Sequence, residues 1–107
     1  MQIKVDKIDI EVEVIGGVGQ KDFVLNGMAN LISFKPPLVP SDPVPTDTAQ
    51  YNYDIEDSDG YNLIGAQNLV GKTAVQVEIL CSKTNTIKLS NAFDGTHKIR
   101  IYYRTGY

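Results

Sequence analysis

Ile8-Asp9-Ile10-Glu11-Val12-Glu13-Val14 is the clearest local signal in the chain. Apolar and acidic residues alternate without a break, so one face is apolar and the other charged. That repeat of two belongs to an extended strand, not to a helix, whose apolar positions recur every three or four residues. On its N-terminal side Ile3 and Val5 have the opposite parity. Either a bulge near Asp6-Lys7 restores the face, or two short segments meet there. On its C-terminal side Gly16-Gly17-Val18-Gly19 ends the strand in a flexible turn.

The same reading extends outward. Asp22-Phe23-Val24-Leu25 is a short apolar run, and Asn26-Gly27 follows it before Met28 to Phe34. Asn-Gly is a strong hairpin signal because both residues tolerate positive φ, so a hairpin of 21–25 with 28–35 is expected. A single helical turn over 27–32 is the alternative, since Met28, Leu31 and Ile32 fit helical spacing. Tyr51, Tyr53 and Ile55 share one face of a further strand, and Asp57-Ser58-Asp59-Gly60 is a tight turn. Tyr61, Leu63 and Ile64 return as its partner, and 65–71 reads as a loop. Val75, Val77 and Ile79 alternate with polar residues, as do Ile87 with Leu89, and Ile99 with Ile101 and Tyr103. Ser82 to Asn85 and Asp94-Gly95 supply the turns between them.

About eight short strands at these spacings, with no convincing amphipathic helix, predict an all-β chain. The connections are too short for βαβ crossovers, so the sheets should be antiparallel. The expectation is a single domain over 1–107, an antiparallel β-sandwich, jelly-roll or immunoglobulin-like, closed around one core.

All five prolines fall within Pro36-Pro37-Leu38-Val39-Pro40-Ser41-Asp42-Pro43-Val44-Pro45. Proline fixes φ and donates no backbone hydrogen bond, which excludes a helix interior or a central strand and favours an extended, polyproline-like course. Both flanks read as strands of one sandwich, so 36–46 is a stiff loop or arm rather than a linker. Loops of that length in compact domains are usually functional or disordered. Leu38, Val39 and Val44 give it apolar side chains to bury against a partner.

The outer face of the first long strand is acidic at Asp9, Glu11 and Glu13, and that of the last is basic at Lys98, Arg100 and Arg104. Opposite charges on facing strands help set pairing, so these two should be neighbours, within one subunit or across a contact. Tyr102 lies on the polar face between Arg100 and Arg104, a combination enriched at protein interfaces. The candidate partner-binding residues are therefore Leu38, Val39, Val44, Arg100, Tyr102 and Arg104.

A chain of 107 residues holds one core, and a net charge of −3 with no basic run points away from nucleic acid. Apolar stretches are broken too often to span a bilayer, and Met1 to Lys7 is not a signal peptide in pattern. One cysteine and one histidine, Cys81 and His97, exclude a typical zinc site on count. Cys81 reads as a small buried thiol, and His97 as a hydrogen-bonded histidine at a strand end. Ala66 to Thr73 fits a loose phosphate-loop string, but a strand pattern follows it where a helix is needed, so it reads as a Gly-Lys-Thr turn. Asp54, Glu56, Asp57 and Asp59 lack the ligand spacing of an EF-hand, while a looser calcium site from two or three of them stays open. No catalytic, metal or cofactor set is expected, and the chain is read as not an enzyme.

Tyr51-Asn52-Tyr53-Asp54-Ile55-Glu56-Asp57-Ser58-Asp59-Gly60 and Asn91-Ala92-Phe93-Asp94-Gly95-Thr96-His97-Lys98-Ile99-Arg100-Ile101-Tyr102 carry a family resemblance. In layout the chain resembles the small accessory structural proteins of tailed phages, which include capsid decoration or cement proteins and some head–tail and tail modules. The second stretch also resembles the last strand of immunoglobulin-like domains. The resemblance implies a non-enzymatic role on the capsid surface of a virion assembled from proteins made in the host cytoplasm. The implied partners are the major capsid protein, other virion proteins and further copies of the chain, with no nucleic acid or membrane. A carbohydrate-binding or adhesion module is the alternative, and it calls for an exposed aromatic row on one sheet.

Overall fold

β1 (Ile3–Val14) and β8 (Gly95–Gly106) pair antiparallel along their whole length, from Ile3 opposite Gly106 to Val14 opposite Gly95. The computed structural model, which describes residues 3–106, places six further strands around this ribbon. They are β2 (Gly19–Val24), β3 (Gly27–Lys35), β4 (Gln50–Glu56), β5 (Asn62–Val70), β6 (Thr73–Cys81) and β7 (Thr84–Ser90). One sheet runs β1-β8-β3-β6 and the other β2-β7-β4-β5, and every pairing is antiparallel.

This order decides between the two expected sandwiches. An immunoglobulin domain keeps its first two strands in one sheet. Here successive strands change sheet at every connection except β4 to β5, the eight-stranded double Greek key of a jelly roll.

The alternation in β1 explains its burial. Ile10, Val12 and Val14 are in the core, and Asp9, Glu11 and Glu13 face solvent. Charge complementarity is met within the chain: Asp9 lies opposite Arg100, whose Nε donates to Asp9 Oδ1 at 2.6 Å. That bond holds the Asp9 carboxyl below the usual aspartate value. Neither the bulge near Asp6-Lys7 nor a break is present, because the β1–β8 register is continuous there. Val5 keeps its odd parity and is 72% exposed. No reset of parity is needed, since Lys4 to Lys7 are exposed on both faces.

Two local readings are corrected. The segments 21–25 and 28–35 form no hairpin, because β2 and β3 belong to different sheets. The Asn26 side chain accepts the Lys83 amide at 2.7 Å and the Leu25 amide donates to the Lys83 carbonyl, so the Asn-Gly step crosses the sandwich beside the β6–β7 connection. Residues 65–70 are not loop but the second half of β5. Its pairing with β4 slips twice, and Asn68 sits at φ 62 with its amide bonded to Asn52 Oδ1. These bulges erase the alternation that would reveal the strand, and they also blunt an exposed sheet edge. The helical turn at 27–32 is absent as well. A bulge between Ala29 and Leu31 leaves Met28 and Leu31 on the outer face and turns Ala29 and Ile32 inward, so the Met28–Leu31 spacing of three imitates a helix.

At the centre of the core Phe34 lies between two tyrosines, with ring centroids 5.3 Å from Tyr51 and 4.8 Å from Tyr53. Tyr51 donates its hydroxyl to the Gly71 carbonyl at 2.8 Å. Burial pushes both phenols above their ordinary value of 10. The native state then holds protons that the unfolded chain releases, so stability from this source is complete below pH 10 and declines above it. The expected slope is a loss of about 1.4 kcal/mol per pH unit for each tyrosine while it stays protonated in the fold. Urea midpoints measured through the alkaline range check this, and a midpoint that holds steady well above pH 10 contradicts it.

Candidate partner-binding surfaces

The strand directions bring the β1–β2, β3–β4, β5–β6 and β7–β8 connections to one end of the sandwich. They are tied to one another. The Gly16 and Gly17 amides donate to the Asp94 carboxylate at 3.2 and 2.9 Å, and the Ala92 amide donates to the Gly17 carbonyl. The Phe93 amide donates to the Gln50 carbonyl and the Gly71 amide to the Ala49 carbonyl, while Asp47 Oδ2 accepts the Lys72 amide at 3.0 Å.

The proline segment stands on this end, and its course differs from the extended one expected. Val39 and Thr46 form a two-bond antiparallel bridge of 2.8 and 2.9 Å, so the chain doubles back between them. The Asp42–Pro43 peptide is cis, and Ser41 Oγ donates to the Val44 carbonyl across the tip. Proline has removed the donors that a regular strand would need, and side chain and bridge supply the few bonds left. Pro36 is buried, Pro37 packs beside Gly95, and Val39 is half-buried. Leu38 and Val44 face solvent at 52% and 65% exposure.

They are not alone. Ile15, Val18, Val70 and Phe93 are also exposed on the turns of this end, which thus carries six of the ten exposed large apolar side chains among the described residues. Sequence reading found Leu38 and Val44 because prolines marked the loop. It passed over the other four because they are scattered over three connections, Ile15 with Val18 at β1–β2, Val70 at β5–β6 and Phe93 at β7–β8.

The candidates on β8 lie elsewhere. Arg100 and Tyr102 line an open groove of about 770 Å³ on the outer face of the β1-β8-β3-β6 sheet. Lys35, Lys72, Lys98, Asp9, Glu11, Ser33 and Thr73 complete its polar lining. Arg104 lies further along β8, opposite Val5 on one side and Met28 on the other, outside the groove. The six candidate residues therefore form two surfaces, not one.

His97 is buried after the β7–β8 connection, with Nε2 2.6 Å from the Phe93 carbonyl and its ring edge-on to Tyr51. Cys81 is buried at the opposite end of the sandwich, where burial pushes its thiol up. The two do not meet, and the 54–59 carboxylates are also at the far end from His97. Those carboxylates have partners of their own. Glu56 pairs with Lys88 at 3.1 Å, Asp54 accepts from Asn62, and Asp57 Oδ1 accepts the Asp59 and Tyr61 amides. Among the described residues, no three His, Cys, Asp or Glu side chains are grouped to hold a metal ion.

No protein-family model and no curated protein matches the chain. Among solved structures, the chain is similar to an exo-β-1,3-galactanase from Phanerochaete chrysosporium (13% identity, TM-score 0.44), with 95% of this chain covering 27% of that one. It is similar to a chain of the acidic stable capsid of the Helicobacter pylori bacteriophage KHP30 (14% identity, TM-score 0.40), with 94% of this chain covering all of that one. It is also similar to TmCBM61, solved with β-1,4-galactotriose (6% identity, TM-score 0.33), with 98% of this chain covering 82% of that one. At these identities and superpositions the likenesses assign no function.

Proposed function

We propose that this chain is a non-enzymatic virion structural protein, a capsid decoration or cement protein that binds the capsid lattice through its loop end. The observation that carries the reading is the gathering of six exposed apolar side chains on the four connections of one end, two of them on a proline loop closed by its own bridge. A loop already fixed by proline and by backbone bonds loses little conformational freedom on docking, so more of its contact energy appears as affinity. Jelly rolls serve as capsid and lectin domains, which is consistent with the reading at the level of fold analogy only. The sugar-binding alternative calls for a row of outward aromatics. Tyr102 is the single aromatic on the outer face of the β1-β8-β3-β6 sheet among the described residues, and the outer face of the other sheet has none.

Leu38→Asp combined with Val44→Asp tests the proposal. Both positions are exposed, so the thermal midpoint should stay within a few degrees. Co-sedimentation with assembled capsids should weaken by about tenfold or more, the scale of losing apolar anchors at an interface centre. Unchanged capsid binding by a folded double variant rules the loop end out as the docking surface.

A further inference from the structure

The groove on the outer face of the β1-β8-β3-β6 sheet has an unusual charge arrangement for a protein of net charge −3. Lys35 and Lys98 are directly opposite on β3 and β8, a like-charge pairing that works against the sheet. Lys72 joins them from the β5–β6 turn. Arg100 is neutralised by Asp9, but among the described residues none of the three lysines is within ion-pair distance of a carboxylate. Glu11 faces Lys98 in register without such a contact, and Asp47 turns one oxygen to the Lys72 backbone amide. The lining thus holds four cations against two carboxylates. A cluster that costs the fold some stability, lies open and keeps an excess of positive charge with its lysines out of ion-pair contact is suited to receive an anion.

The molecule itself carries the complement. Asp54, Glu56, Asp57 and Asp59 crowd the β4–β5 turn, with Lys88 as the one cation paired among them. Asp59 is exposed at the tip, which bonds to Asp57 Oδ1 hold in a fixed shape. This turn is at the end of the sandwich opposite the β5–β6 turn that supplies Lys72, so groove and tip of one molecule are kept apart. We infer that the Lys35–Lys72–Lys98 groove receives the acidic β4–β5 turn of a second copy of this chain, in a head-to-tail contact. Such a contact uses different surfaces on the two copies, so it propagates as a ring or an open chain and not as a closed two-fold dimer. Through Lys72 of the β5–β6 turn the contact borders the loop end, but it uses none of the six exposed apolar side chains there.

The contact is between exposed charges, so it must be screened by salt. The Debye length falls from roughly 30 Å at 0.01 M to roughly 3 Å at 1 M. Light scattering coupled to gel filtration should show a mass that rises with protein concentration at the lower salt and a monomer at the higher. Lys35→Glu with Lys98→Glu reverses the groove, and Ser58→Lys with Asp59→Lys cancels the negative charge of the tip. All four positions are exposed, and circular dichroism checks the fold of each variant. Either variant alone should associate about tenfold more weakly or worse. An equimolar mixture of the two should associate again, since each then offers what the other lacks. A monomer at every concentration in low salt overturns the inference, as does association that neither variant disturbs. Capture of hyaluronan by the groove without self-association overturns it too, by assigning the site to an anionic glycan. Capsid co-sedimentation of the same variants reads the loop end separately, so the two proposals fail independently.

Discussion

Phe34→Ala is expected to cost about 3–5 kcal/mol, which would remove most of the stability of a domain near the low end of about 5 kcal/mol. The size of the loss follows from position. Phe34 is 4% exposed and packs on the rings of both Tyr51 and Tyr53, and these belong to the opposite sheet. Removing the ring takes away its transfer free energy, two aromatic contacts and the filling of the space between the sheets. The two tyrosines cannot move in to fill it freely, because Tyr51 is held by its bond to the Gly71 carbonyl. Urea unfolding of the variant is the measurement, and a loss below about 1 kcal/mol shows that the core collapses around the gap. Phe34→Leu keeps part of the volume and should retain more stability than the alanine variant.

Gly71→Ala is the second large effect, and it acts through the backbone. Gly71 has φ +61, in the left-handed region, where a side chain costs roughly 1–2 kcal/mol. The cost here is higher because a Cβ would come within 2.4 Å of the Asp47 carbonyl oxygen, a backbone atom that cannot swing aside. To make room, the β5–β6 turn must move away from the 47–49 segment. That strains the Gly71 amide bond to Ala49, the Lys72 amide bond to Asp47 and the Tyr51 hydroxyl bond at once. The thermal midpoint is expected to fall by about 10 °C or more, at roughly 4–8 °C per kcal/mol for a domain of this length. A fall of a degree or two shows that the turn relaxes at little cost. Gly60, which also has positive φ but open space around it, is the control: its alanine variant should show only the conformational part.

The fold was legible where a segment's surroundings differ on its two faces. Ile8 to Val14 lies between core and solvent, so its alternation is unbroken and its acidic face finds the basic face of β8. Tyr51 to Ile55 and its return were legible because β4 and β5 share a sheet and Asp57 to Gly60 settles the turn locally. The Asn26-Gly27 step misled because turn chemistry is the same whether the chain folds back in one sheet or crosses to the other. In the crossing that forms, residues 25–26 bond the backbone of Lys83, which is remote in sequence. Bulges account for the other errors, since one extra residue reverses parity and made β3 resemble a helix and β5 a loop. The candidate surfaces were half legible for a similar reason. Prolines announced the 36–46 loop, whereas Lys35, Lys72 and Lys98 come from three separate parts of the chain and meet only through topology.

The pairing of β1 with β8 also governs how fast this protein can acquire its shape. Their partners, from Ile3 with Gly106 to Val14 with Gly95, are separated by most of the chain. The loop-closure entropy for such pairs must be met before any of their contacts form, and topologies of this kind fold in milliseconds to seconds rather than microseconds. During synthesis β8 emerges after the seven other described strands, so β1 stays unpaired until most of the sandwich has been made. Its row of Lys4, Asp6, Lys7, Asp9, Glu11 and Glu13 is then a safeguard, keeping an unpaired edge charged while it waits.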